Sequence, residues 1–170
     1  MIMNVILTGF MGTGKSSVGR FLACRLGYSY RDIDAMIVEQ EGKSINDIFS
    51  EKGETYFRNV ESLVLRVVLQ DSSQVISTGG GAVIKLENRE AMKRSGVVIN
   101  LVASADSILH RLLDDAERPL LRDSKSLKRI EAMLAEREQY YCDADIRIDT
   151  NGKKVEDVAR EILKFLKGGA

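Results

Sequence analysis

The first residues with the means to do chemistry are Gly9-Phe10-Met11-Gly12-Thr13-Gly14-Lys15-Ser16, which match the G-x-x-x-x-G-K-[ST] phosphate-loop pattern. Gly9, Gly12 and Gly14 admit the backbone conformations with which a tight loop turns successive N–H groups toward an anion. Lys15 would meet the β- and γ-phosphates, and Ser16 would offer a hydroxyl to the accompanying Mg²⁺. A helix opening at about Gly14 would point the positive end of its dipole at the same charge.

Four further constellations lie outside this loop. Asp32-Ile33-Asp34 ends a strand-like run, and period-two spacing puts both carboxylates on one face of an extended segment. Both would then point into a strand-end cleft, unless Asp34 serves instead as the cap of a helix over 35–41. Gly79-Gly80-Gly81 follows Gln74 to Thr78 with no carboxylate between, so it marks either a close approach of the backbone to a ligand or a flexible turn. Arg137 stands on the stripe Leu127, Ile130, Leu134, Arg137, Tyr141. A guanidinium there needs an anion, either a substrate carboxylate or a structural Asp or Glu. Arg58 has Glu61 one turn away, which a surface ion pair would satisfy. Residues 113–126, rich in charge and holding the single proline, Pro119, read as a surface loop or a lid able to bring Arg118 or Arg122 over phosphates. His110 reads as a surface or packing residue.

These groups need a scaffold, and the chain supplies an α/β one. Strand-like runs at 3–8, 28–33, 74–78, 97–101 and 145–148 are separated by helical patterns, which predicts right-handed crossovers, a mostly parallel sheet and a ligand site at the strand carboxyl ends. Val18, Phe21, Leu22, Ala23 and Leu26 give the first helix its core face until Gly27 closes it. Ser44 to Asp47 forms a helix start, that helix ending near Gly53. A second helix from Glu54 would turn Phe57, Val60, Val64, Val67 and Val68 inward. Ser104 is placed to cap the helix carrying Ile108, Leu109 and Leu112, and a last helix runs from about Val155 to Leu166. The 170 residues suit one domain, 44% apolar and 29% charged.

Twenty-five basic and twenty-five acidic residues cancel, which argues against a broad surface for nucleic acid or anionic membrane. Cys24 and Cys142 lack metal-ligand spacing and are expected as reduced thiols. With no room for a signal peptide before the first strand and no apolar run of spanning length, a cytoplasmic protein is expected.

With these residues in view, the chain resembles shikimate kinases over nearly its full length. The markers are the loop from Gly9 to Ser16, Asp32-x-Asp34, Gly53-Glu54-x-x-Phe57-Arg58-x-x-Glu61, Gly79-Gly80-Gly81, Arg118-Pro119-Leu120, and Arg137 before Tyr140-Tyr141. The resemblance implies a three-layer P-loop fold, its five-stranded parallel sheet in the order 2-3-1-4-5, with a substrate-binding segment at about 33–61 and a mobile lid at about 113–126. It implies ATP-dependent phosphorylation of the 3-hydroxyl of shikimate by a monomer. Gly12, Thr13, Gly14, Lys15, Ser16, Ser17, Arg111 and Arg118 would bind ATP, Arg111 lying on one face of the adenine and the 151–155 loop opposite. Ser16 and, through water, Asp32 would hold Mg²⁺. Asp34, Arg58, Gly79, Gly80, Gly81 and Arg137 would hold shikimate, with Lys15, Asp34 and Arg118 catalytic. The guanine signature Asn-Lys-x-Asp is absent, since Asn151-Gly152-Lys153-Lys154 does not supply it, so ATP is expected over GTP. The rivals are a related kinase for gluconate or a nucleoside monophosphate, and a nucleotide-responsive binding module without turnover.

Overall fold

The computed structural model describes residues 3–113 and 127–168. Five parallel strands, β1 (Asn4–Thr8), β2 (Ser29–Asp32), β3 (Gln74–Ser77), β4 (Gly96–Val102) and β5 (Ile146–Asp149), form one sheet in the order β2-β3-β1-β4-β5. Ile6 of central β1 sits opposite Ile76 on one side and Val98 on the other. All of β1 and β3 is buried, as expected for strands covered on both faces.

Alternation along the strands divides the apolar residues between two helical layers. Ile6, Ile76 and Val98 pack with Ile33 and Ile37 of α2 (Ile33–Glu41), with Phe57, Val60 and Leu65 of α3 (Ile45–Val68), and with Met92 of α4 (Leu86–Ser95). Val5, Leu7, Val75, Ile99 and Leu101 face the other way, onto Val18 and Leu22 of α1 (Lys15–Leu26). There Val158 and Ile162 of α7 (Val155–Gly168) complete the layer. A smaller cluster joins Phe10 to Ile108 and Leu112 of α5 (Ala105–Leu113) and Ile130 of α6 (Leu127–Tyr141), which seats the phosphate loop on its own apolar base. The predicted α/β fold and strand order are therefore present. Among the described residues no helix is long and apolar enough to cross a membrane, and both cysteines are free and exposed.

The helix boundaries follow their caps. Ser44 Oγ accepts from the Asp47 N–H at 3.1 Å, and Ser104 Oγ from the Ser107 N–H at 3.2 Å. The boundary expected at Gly53 is present: Gly53 adopts the non-helical φ 79°, ψ 170°, a kink at which one helix of α3 ends and a second begins. Some other expectations need correction. Val67 is not inward: it is 64% exposed, with Glu61 and Leu65 completing the buried face instead. Asp34 does not cap α2 and does not lie on an extended segment. The helix already starts at Ile33, Asp32 Oδ1 accepts from the Ala35 N–H at 3.3 Å, and Asp34 occupies the first turn.

Candidate active site

The phosphate loop leaves β1 and enters α1. Gly12 (φ 77°) and Gly14 (φ 93°) lie in the left-handed region, so the loop could not close as it does with larger residues there. Thr13 Oγ1 donates to the Phe10 carbonyl at 2.8 Å. Lys15 Nζ folds into the curl and donates to the carbonyls of Gly9 at 2.8 Å and Phe10 at 2.9 Å. The ammonium thus stands inside the loop. Ser17 is exposed on the first turn of α1. Arg111 of α5 donates to the Gly12 carbonyl at 3.0 Å and to Thr150 O and Oγ1 at 2.9 and 3.1 Å, tying the loop to the end of β5. At that same end the Asn151 side chain accepts from the Ser104 N–H at 2.9 Å. Arg111 is fastened to the residue that immediately precedes the 151–155 stretch.

Ser16 and Asp32 meet beside the loop, Ser16 Oγ lying 3.2 Å from Asp32 Oδ2. The Tyr30 hydroxyl donates to that oxygen at 2.9 Å. Burial, and then the Asp32 charge, raises the Tyr30 pKa and keeps it a donor. Two hard oxygen donors next to a phosphate site fit Mg²⁺, which takes one or two protein ligands and completes its shell with phosphate and water. Among the described residues no cluster of three or more His, Cys, Asp or Glu would hold a metal unaided.

A cavity of about 750 Å³ adjoins this corner. Asp32 and Asp34 line it from the β2–α2 end, Arg58 and Glu61 from α3, Gly79, Gly80 and Gly81 from the turn after β3, and Arg137 from α6. Five elements or turns converge here, and the predicted acceptor-site residues share one space.

The charges of this cavity are tied together. Arg58 Nη1 pairs with Glu61 Oε2 at 2.8 Å, while Nε and Nη2 both reach Glu54 Oε1 at 3.2 Å. The Arg58–Glu61 pair is not the surface contact that spacing suggested, since the Glu61 side chain is only 1% exposed. Burial pushes the Glu61 carboxyl up; Arg58 pulls it down, Asp34 adds to the rise, and Arg137 lowers it again. Burial opposes the charge on Arg58, but Glu61 and then Glu54 hold its pKa above the ordinary value. Arg137 sets its guanidinium 5.4 Å from the Phe10 ring centroid. One turn further on α6, the Tyr141 hydroxyl donates to the Gly80 carbonyl at 2.7 Å, and burial pushes its pKa up to about 12.

Two of the three glycines, Gly79 and Gly81, have a steric explanation, whereas a Cβ on Gly80 would make only ordinary contacts. A Cβ on Gly79 would stand 2.5 Å from Glu61 Oε1 and 2.7 Å from Asp34 Oδ1, and one on Gly81 would collide with the Arg58 guanidinium. A Cβ on Gly80 would lie 3.6 Å from Arg137 Nη1. The close approach inferred from sequence is made here by the site's own charged side chains.

Arg118 and Arg122, with the rest of residues 114–126 where a lid was expected, lie outside the described residues. Sequence reasoning missed Glu54, Tyr30 and Thr150. Glu54 stood four residues before Arg58 and Tyr30 two before Asp32, both readable spacings; Thr150 carried no local signal, being brought to Arg111 across the fold.

The family described as shikimate kinase matches residues 11–167. A shikimate kinase of Geobacter metallireducens is 57% identical over 98% of this chain and 93% of its own length, and one of Geobacter sulfurreducens 52% identical over 96% and 91%. A solved shikimate kinase of Acinetobacter baumannii, in complex with shikimate, superposes with a TM-score of 0.94 at 35% identity, covering 99% of this chain and 95% of that one. A match of this extent, joined to the phosphate loop and the arginine-lined cavity beside it, means that the chain belongs to the shikimate kinase family.

Proposed function

We propose that this chain transfers the terminal phosphoryl group of ATP to the 3-hydroxyl of shikimate, giving shikimate 3-phosphate and ADP for aromatic amino acid biosynthesis. The observation that carries this is the single cavity in which Asp34, Arg58, Gly79–Gly81 and Arg137 face one another beside the phosphate loop. Its cationic wall suits a compact carboxylate, and its acidic wall suits hydroxyl groups.

The roles follow from position. Backbone N–H groups of Gly12 to Ser17 hold the phosphates, and Lys15 shifts from the loop carbonyls to the charge that develops on the moving phosphoryl group. Ser16 and, through water, Asp32 would hold Mg²⁺, which would supply charge neutralisation at the phosphates. Asp34 receives the 3-hydroxyl, orients it for in-line attack and takes its proton. Arg58 and Arg137 grip the carboxylate at the far end of the ring, so a small acceptor is fixed at both ends. Arg111 lies against the adenine. The 113–126 stretch acts as the lid that delivers Arg118 and excludes water.

We read the chain as one kinase domain, monomeric and cytoplasmic, with residues 33–61 as the acceptor-binding segment. The test is ADP release from purified protein with ATP and Mg²⁺ over a panel of acceptors that includes shikimate, gluconate and nucleoside monophosphates. Shikimate-dependent release is expected. Release no greater than the acceptor-free rate, or a preference for another acceptor, would end this reading.

A further inference from the structure

Arg58 has two working edges. Its Nη1 is committed to the buried Glu61 at 2.8 Å, whereas its Nε and Nη2 both point at one oxygen of Glu54, at 3.2 Å each. The two glutamates differ in setting: the Glu61 side chain is 1% exposed and that of Glu54 is 62% exposed. The Nε/Nη2 edge is the fork that engages a carboxylate side-on. Both Arg58 and Glu54 line the cavity.

We propose that Glu54 is an internal placeholder: its carboxylate occupies the Arg58 fork in the empty site and must leave when the acceptor's carboxylate binds there. The inference rests on the reading of Arg58 as a carboxylate-binding residue. Glu61 cannot serve this purpose, because leaving its partner would strand a buried charge. Glu54 can swing into water at little loss, since its own side chain is 62% exposed and Arg58, at 14%, keeps Glu61 as its partner. Occupancy of the fork by Glu54 lowers the fraction of protein ready to bind, and the apparent affinity for the acid falls in proportion. It also keeps Arg58 aligned while the cavity is empty, so the fork need not be rebuilt at each turnover.

Binding of shikimate and of its methyl ester, measured by calorimetry, tests this with wild type, Glu54→Gln and Glu51→Gln. Glu51 carries the same charge on the same helix but pairs with Lys43. Glu54→Gln should bind shikimate about two- to fivefold more tightly than wild type, the range expected from releasing an exposed ion pair. It should leave ester binding unaltered, and Glu51→Gln should match wild type for both ligands. Thermal melts confirm that each variant is folded. Unchanged or weaker shikimate binding by Glu54→Gln would overturn the proposal, as would an equal gain for the ester or for Glu51→Gln. Equal wild-type affinities for acid and ester would overturn the Arg58 reading itself, a result distinguishable from loss of the placeholder alone.

Discussion

The phosphate loop and the acceptor cavity both depend on glycine, and for opposite reasons. At Gly14 the backbone sits at φ 93° while a Cβ would meet nothing within 4 Å, so conformation alone excludes other residues. At Gly81 the backbone is ordinary, φ −101°, and the excluded volume is the Arg58 guanidinium. One end is made of peptide groups held in unusual geometry; the other is made of charged side chains packed so closely that no methyl group fits at Gly79 or Gly81. A backbone-built site recognises what all nucleotides share, and a side-chain-built site can be specific for one acceptor.

The contrast is most exposed at Asp34, which in the proposed mechanism stands where the two ends meet across the reacting oxygen. Asp34→Asn should lower kcat by about two to four powers of ten, the usual contribution of a positioned base. Thermal stability and ATP affinity should stay close to wild type. A turnover number near normal would remove Asp34 from the reaction.

Arg137 gives the next largest effect. Arg137→Ala should raise the shikimate KM by roughly ten- to a hundredfold, as expected for losing a charged hydrogen bond, and leave the ATP KM near normal. Equal damage to both constants would make Arg137 a structural residue of the Phe10 base instead.

The glycines themselves sharpen the comparison with a smaller, crossed pair of effects. Gly81→Ala should weaken shikimate binding about tenfold by displacing Arg58, with ATP affinity intact. Gly14→Ala should do the reverse, because a left-handed alanine costs about 1–2 kcal/mol and disturbs only the phosphate cradle. Titration of each variant with both ligands would show it. Parallel losses would mean that the two ends are not separately built.

The same difference decides what the sequence discloses. The loop could be read from Gly9 to Ser16 because its function resides in consecutive residues, flanked by a strand and a helix whose periodicities differ. The sheet was legible from its buried runs, within a residue or two at each end. The cavity was not legible in that way. Asp34 was selected on a period-two argument that its helical position overturns, yet it lines the site. Arg58 looked like a surface pair because spacing locates Glu61 one turn away without saying that the turn is buried. Arg137 showed its inward stripe but not its partner. What assigned these residues in advance was resemblance to a family, since contacts made across several elements leave no mark in local spacing. Val67 failed for a related reason: three- and four-residue spacing admits more positions than one helix face can bury.

Glu61 gives the smallest predicted effect and bears on how the side-chain end is held. Burial first, then Asp34, moves its carboxyl above the ordinary value of 4.5, against the pull of Arg58 and Arg137. The folded protein therefore binds this proton more tightly than the unfolded chain does. That contribution to stability is fully present below the unfolded pKa and is lost as pH rises through the folded one. Glu61→Gln carries no such proton. The stability of wild type relative to the variant should rise as pH falls from neutral toward 4.5, with a slope of at most about 1.4 kcal/mol per pH unit inside that window. Urea unfolding of both proteins across the range measures it. A flat difference would mean that the arginines cancel the cost of burial, and a slope of opposite sign that they exceed it. In either case the acceptor end would be held by charge pairing that stays ionised throughout, and its contrast with the peptide-built phosphate end would be wider still.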